Sequence, residues 1–156
     1  MPSLEEKYAH IKKQMVVNFK IWAAFIGFQL VAIVFVSLQH QDTPMSHNSR
    51  YLAFLFAIGI TIVSIYLPRM FLKIGFFNYH NDAGRMWAYR VYLLLSLLLA
   101  TGASLGILSL MYFQTVRLWY LAFWLVPFLR MWKLKPSAGV WVDFRMSHRA
   151  GRTVPV

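Results

Sequence analysis

The feature that most constrains this chain is the uninterrupted apolar run at 91–113, VYLLLSLLLATGASLGILSLMYF. It contains no charged residue and no proline, and it exceeds the roughly 20 residues that a helix needs to cross a bilayer. Lipid offers no hydrogen-bond partner to an open backbone, so a segment of this kind must satisfy its own amide and carbonyl groups. The run therefore predicts a membrane-spanning helix.

The composition of the whole chain points to the same environment. Hydrophobic residues make up 59% of the 156 residues and charged residues 13%, against about 25% in soluble domains. A fold of this size cannot bury that excess, so it must face lipid or a membrane partner. Because the chain has no cysteine, disulfides and thiolate metal sites are excluded.

Three further apolar segments complete a predicted all-α fold, a bundle of four transmembrane helices. The spans are 21–38, 51–67, 91–113 and 116–132, and together they form a domain over 21–132. The second span is expected to end before Pro68, since proline cannot continue the helical hydrogen-bond ladder. The fourth is at the lower length limit and carries Pro127, so a helix lying in the membrane plane is the alternative.

The N-terminal segment 1–20 is predicted to be a short amphipathic helix on the cytoplasmic side. Ser3 and Glu6 form a capping box, which satisfies unpaired amide groups at a helix start. An apolar stripe follows at helical spacing beside several lysines. Such a helix suits a membrane surface or a groove on a partner protein.

The C-terminal tail 133–156 is basic and is predicted to be mostly irregular. Pro136 and Gly139 break a helix, and the alternation of Val140, Val142 and Phe144 with polar or larger residues predicts an extended segment. That segment could pair with the edge of a partner's sheet. A polybasic tail held at anionic lipid is an equally good interpretation.

The distribution of positive charge decides how many spans cross the membrane. With four spans, fourteen of the sixteen Lys and Arg residues lie on one side, leaving Arg50 and Arg117 opposite. With three spans the division becomes eight against eight. Because Lys and Arg accumulate in cytoplasmic segments, four spans with both termini on the cytoplasmic or equivalent side are predicted. The accumulation of Lys and Arg on one side of the membrane accounts for the net charge of +11. No nucleic acid partner is therefore expected.

Small residues recur along the predicted spans and mark faces where helices can approach closely. We assign helix packing to Ala23, Gly27, Gln29, Ala53, Ala57, Thr61, Ser64, Ser96, Ala100, Gly102, Ala103 and Gly106. We assign docking to a partner or to lipid to Lys12, Lys13, Trp141, Phe144, Arg145 and Arg149.

No catalytic, cofactor or metal site is predicted, because none of the five acidic residues and no histidine falls within a span. The leading hypothesis is a non-catalytic membrane subunit that scaffolds a larger complex, either secretion or transfer machinery or an energy-transducing complex. The expected partners are other integral membrane subunits and anionic lipids, in a bacterial or an organellar inner membrane.

Two other classes of function stay open. One is a small homo-oligomeric channel or transporter lined by Gln29, Thr61, Ser64, Thr101 and Ser104. The other is a membrane enzyme that uses His80 and Asp82 at the cytoplasmic surface, since histidine titrates near neutral pH.

Overall fold

The computed structural model describes residues 4–39, 47–73, 82–113, 118–137 and 139–142. Its elements are four helices: α1 (Leu4–Gln39), α2 (His47–Lys73), α3 (Asp82–Tyr112) and α4 (Leu118–Lys133). These described ranges contain no strand. Three segments are long and apolar enough to cross a membrane, namely Ile11–Gln39, Phe54–Leu72 and Ala83–Tyr112. The prediction of an all-α protein with membrane-spanning helices is confirmed to that extent.

Contacts between side chains fix the directions of α1 and α3. Asn18 on α1 meets Arg90 near the start of α3, and Gln29 meets Ser104 further along both helices. The two helices therefore run parallel. Asn18 and Gln29 are fully buried, so this pairing lies in the interior.

The other two helices run antiparallel to α3. On α2, Ala57 lies against Gly106, while Leu72, four turns later, packs near Tyr89. On α4, Trp124 packs with Leu108, and Met131 contacts Thr101. The four helices thus alternate in direction along the chain, as short connections between helices require.

Helix α3 is the centre of the bundle, because each of the other helices packs against it. In the most apolar window of α3, 56% of the residues are buried, against 22% in α1 and in α2. Small residues on α3 allow this close approach: Ser96, Ala100, Ala103 and Ser104 are fully buried.

Three clusters of buried apolar residues follow the length of α3. The Trp124 cluster contains Val36, Ala57, Ile107, Leu108, Leu110, Met111, Tyr120 and Trp124. The Trp22 cluster contains Trp22, Ile26, Leu93, Leu97, Ala100 and Met131. The Tyr89 cluster contains Leu72, Met86, Ala88, Tyr89 and Trp141, and it lies where α1 and α3 begin.

Helix α1 is longer than predicted. The structure joins the predicted amphipathic segment and the first span into one helix of 36 residues, so a separate N-terminal helix is not observed. The sequence at the expected break contains neither proline nor glycine. The apolar positions Ile11 and Met15 pack against the Tyr89 cluster, which stabilises the extension.

The prediction that the second span ends before Pro68 is wrong, since α2 continues to Lys73. Proline has no N–H, so the carbonyl of Ser64 one turn earlier loses its helical partner. The guanidinium of Arg130 on α4 donates a hydrogen bond to that carbonyl, with N···O of 3.4 Å. A tertiary contact thus replaces the missing bond. Helix α3 likewise exceeds its prediction, since it begins at Asp82, nine residues before the predicted span 91–113.

The prediction of an extended tail is wrong for residues 140–142, which belong to a helical turn. Ser137 initiates it: its hydroxyl accepts a hydrogen bond from the Val140 amide at 3.2 Å, and its carbonyl accepts one from the Trp141 amide at 3.0 Å. The indole of Trp141 is buried against the ring of Tyr89, with centroids 5.9 Å apart. Burial of that indole overrides the alternating pattern.

Candidate functional site

The most distinctive polar contact in the bundle interior joins α1 to α3. The hydroxyl of Ser104 donates a hydrogen bond to Oε1 of Gln29, and both side chains are fully buried. The amide nitrogen of Gln29 has no hydrogen-bond partner within the part of the chain that the structure describes. A buried amide that is half satisfied specifies the register of two helices more than it stabilises them.

Three more polar residues of the spans also bond inside the chain, whereas the hydroxyl of the buried Ser96 has no partner among the described residues. The hydroxyl of Thr61 donates to the Ala57 carbonyl at 2.8 Å, and that of Ser64 to the Thr61 carbonyl at 2.6 Å. The Thr101 hydroxyl lies 3.5 Å from the sulfur of Met131. All five residues assigned to a pore lining are therefore engaged within one chain, and all but the half-buried Thr61 are buried.

Two of the predicted packing residues form the close contact between α2 and α3. A Cβ added to Gly106 would lie 3.5 Å from the Cβ of Ala57, which is fully buried. Hydrogen in place of a side chain at Gly106 lets the two backbones approach. Ala23 is half-buried and packs against the Trp22 cluster.

The structure does not bring the other predicted glycines to a neighbouring helix. A Cβ on Gly27 or on Gly102 would have no heavy atom of the described residues within 4 Å. Gly27 is exposed on α1, beside Val31, whose side chain is 69% exposed. Ala53 lies in α2, and its side chain is outside the described part of the structure.

A polar cluster where α1 and α3 begin was not predicted. The Nε of Arg90 donates to Oδ1 of Asn18 at 3.0 Å, and a terminal nitrogen of the same guanidinium donates to Oε1 of Gln14. The amide of Asn18 in turn lies 3.7 Å from the sulfur of Met86. Gln14 and Asn18 are one helical turn apart, and this spacing is the sequence signal that could have revealed the cluster.

A second unpredicted contact holds α1 to α4. The indole N–H of Trp22 donates to the Met131 carbonyl at 2.7 Å. That carbonyl belongs to the last turn of α4, and it also accepts a hydrogen bond from the Leu134 amide at 3.2 Å. The ammonium of Lys135 lies 5.9 Å from the centre of the Trp22 ring, within range of a cation–π interaction.

The predicted docking residues divide into three groups. Lys12 and Lys13 are exposed on α1 and free to meet a surface. Trp141 is 4% exposed because its indole fills the Tyr89 cluster, and its assignment to docking stays a prediction. Phe144, Arg145 and Arg149 lie outside the described residues.

The described ranges contain no group of three or more histidine and acidic residues that could hold a metal ion. Of the pair proposed for an enzyme, Asp82 begins α3, and His80 lies outside the described residues. Comparison of the chain with models of protein families, with curated proteins and with solved structures finds no match. The function must therefore be argued from the geometry of the bundle.

Proposed function

We propose that this protein is a non-catalytic integral membrane subunit that packs into a larger membrane complex and scaffolds it. The observation that carries the proposal is a division between interior and surface. The buried polar side chains of Gln29, Ser64, Thr101 and Ser104 make hydrogen bonds inside the chain, while the outward faces are apolar and offer surface for lipid and for partner helices. Gly27 and Gly102 belong to faces that no described helix of this chain covers.

Four spans are proposed, although α4 has only 16 residues and a length of about 24 Å, against about 30 Å of hydrocarbon. The direction of α4 supports a crossing, because it runs antiparallel to α3 along the bundle. The chain that follows α4 returns to the end where α3 begins, since Trp141 packs on Tyr89. A helix in the membrane plane would leave the tail at the opposite end.

Basic side chains support a membrane boundary part of the way along α1 and α3. Lys135 lies over Trp22, and the exposed Lys20 precedes Trp22 by two residues. Trp22 packs in one cluster with Leu93 of α3. Lys20 on α1, Leu93 on α3 and Lys135, two residues after the end of α4, therefore lie at about one level.

Arg69 on α2 lies near the same level. It precedes Leu72 by less than one helical turn, and Leu72 packs in the Tyr89 cluster. On α3, Tyr89 lies about one turn before Leu93. We call Lys20, Arg69 and Lys135 the basic belt. Helix α1 is about 54 Å long and α3 about 46 Å, so both exceed the hydrocarbon thickness and extend beyond the belt.

The extension beyond the basic belt suits the cytoplasmic side. It carries the Tyr89 cluster, the polar cluster formed by Arg90, Asn18 and Gln14, and the exposed Lys12 and Lys13. Lys and Arg accumulate on that side of bacterial inner membranes and of the equivalent organellar membranes. Secretion or transfer machinery and energy-transducing complexes are the proposed hosts, with integral membrane subunits and anionic lipids as partners.

A channel or transporter is the weaker candidate. A pore shared between copies would need the polar residues of the spans to face a common axis. In this structure Gln29, Ser64, Thr101 and Ser104 face the interior of one chain, which leaves an apolar surface for contacts between copies.

The test is extraction of a tagged chain from its native membrane in a mild detergent, followed by native mass determination. We expect a complex with different membrane proteins in fixed stoichiometry. Gly27→Leu is expected to reduce partner recovery without unfolding the chain, because a side chain there has open space. The matched control is Val31→Ala on the same exposed region of α1. Recovery of a homo-oligomer alone would contradict the proposal and favour a channel.

A further inference from the structure

A groove separates α2 from α4, and its two ends are defined by side-chain contacts. At one end the rings of Phe54 and Phe123 meet edge to face, with centroids 4.7 Å apart. At the other end Arg130 reaches across to the Ser64 carbonyl. Helices α2 and α4 each pack mainly against α3 and barely against each other, and we use the word groove for the surface between these two contacts.

Arg130 lies on the groove face of α4, seven residues and two helical turns after Phe123. Its guanidinium is drawn towards α2 by the carbonyl that Pro68 leaves without a partner. A guanidinium has five N–H donors, and this contact uses one of its terminal nitrogens. The Nε of Arg130 is buried and has no partner among the described residues.

Arg69 directly follows Pro68 at the same end of the groove. It is half-buried, and its Nε is also buried without a partner in the described part of the chain. Neither α2 nor α4 contains an acidic residue. The two guanidinium groups thus lie on facing helices that supply no carboxylate.

We propose that this end of the groove binds one anionic phospholipid, with the headgroup phosphate between Arg69 and Arg130. Guanidinium groups match phosphate oxygens in bidentate hydrogen bonds, and they hold this geometry better than lysine does. Basic pockets between transmembrane helices at the cytoplasmic side are suited to anionic headgroups. Arg69 belongs to the basic belt, which is the level at which headgroups lie.

A lipid fits better than a soluble phosphate because exposed apolar side chains flank the site on its membrane side. Ile62 and Tyr66 precede Arg69 on α2 and are 51% and 60% exposed. Val126 and Leu129 precede Arg130 on α4, and each is 53% exposed. Acyl chains attached to a phosphate at the arginines would run along these surfaces. The inference deepens the proposed function and rests on it for the anionic lipid partner and for the membrane level, but it does not require protein partners.

The test measures lipid retention by the full chain, purified in detergent and analysed by native mass spectrometry. The probes are dioleoyl phosphatidylglycerol and dioleoyl phosphatidylcholine at equal concentration. We expect one phosphatidylglycerol to be retained preferentially for each chain. Removing a basic residue costs about fivefold in affinity, so Arg69→Gln with Arg130→Gln is expected to lower retention by about 25-fold.

The matched control is Lys20→Gln with Lys135→Gln, which removes the same charge from the basic belt, on α1 and just after α4. This variant is expected to keep the preference for phosphatidylglycerol. Equal loss in both double variants would show diffuse attraction and overturn the proposal. Arg69→Gln alone leaves the contact between Arg130 and Ser64 in place. A loss of phosphatidylglycerol in this variant therefore cannot be attributed to misfolding caused by breaking that contact.

A second measurement distinguishes a lipid from free phosphate. Inorganic phosphate at millimolar concentration is expected to leave the bound phosphatidylglycerol in place. Displacement of the lipid by inorganic phosphate, or equal retention of the two lipids by the unmodified chain, would contradict a phospholipid site.

Discussion

Gly106→Leu is expected to destabilise the folded chain more than any other single change at a glycine. Ala57 on α2 lies against this position, so even a Cβ would make van der Waals contact at 3.5 Å. A leucine would force α2 away from α3, and overpacking of this kind typically costs about 1–3 kcal/mol. Unfolding in a rising mole fraction of dodecyl sulfate, followed by helical circular dichroism, measures the loss.

The control for this prediction is the same substitution one turn away. Gly102→Leu adds an identical side chain where no heavy atom of the structure lies within 4 Å, so the isolated chain should unfold as before. Gly106→Ala should also be tolerated, because 3.5 Å is an ordinary contact distance. If Gly102→Leu and Gly106→Leu destabilise the purified chain equally, the packing of α2 on α3 described here is incorrect.

Gly102→Leu has a second use, since it separates folding from assembly. We expect it to weaken recovery of partner proteins more than Leu98→Ala does, although Leu98 is exposed one turn away on α3. Leucine at a position where helices approach closely blocks that approach, whereas alanine only removes apolar area. Equal recovery of partners by both variants would show that Gly102 faces lipid.

Arg90→Met is expected to have the second large effect. It leaves Oδ1 of the buried Asn18 and Oε1 of Gln14 without their donor. Hydrogen bonds to charged groups contribute about 1.5–3 kcal/mol, and an unsatisfied buried acceptor is costly. The same dodecyl sulfate titration should show earlier unfolding of the region where α1 and α3 begin. Lys13→Met, on the exposed side of α1, is the charge-matched control and should have little effect.

A double variant tests whether this effect belongs to the pair. Asn18→Leu combined with Arg90→Met removes acceptor and donor together, and replacing both partners by apolar groups can be nearly neutral. The double variant should therefore recover part of the stability that Arg90→Met loses. Strictly additive losses would mean that Arg90 acts through something other than Asn18.

The sequence predicted the helical class and the main apolar segments because lipid leaves so few alternatives. A run without charge or proline, such as 91–113, has one solution for its backbone hydrogen bonds. The limits of the helices were harder to predict. The continuation of α2 through Pro68 depends on Arg130, which is distant in sequence, and no local pattern contains that information.

The facing of individual residues was the least predictable property. Gly102 and Gly106 are four residues apart in sequence and lie only about 40° apart around α3. A Cβ on Gly106 would nevertheless contact Ala57, whereas a Cβ on Gly102 would contact no described residue. Charge counting assigned Arg90 to a loop, whereas it holds α1 to α3. Trp141 followed an extended pattern but fills a space that Tyr89 and Leu72 leave in the tertiary fold.

Cysteine accessibility tests whether α4 crosses the membrane. The chain has no native cysteine, so single cysteines can be placed at three exposed positions: Lys13, Asn48 and Ser137. An impermeant maleimide is applied to sealed cells or to inverted vesicles. We expect Lys13→Cys and Ser137→Cys to be labelled from the same side, and Asn48→Cys from the opposite side. Labelling of Ser137→Cys from the same side as Asn48→Cys would contradict the proposal of four spans.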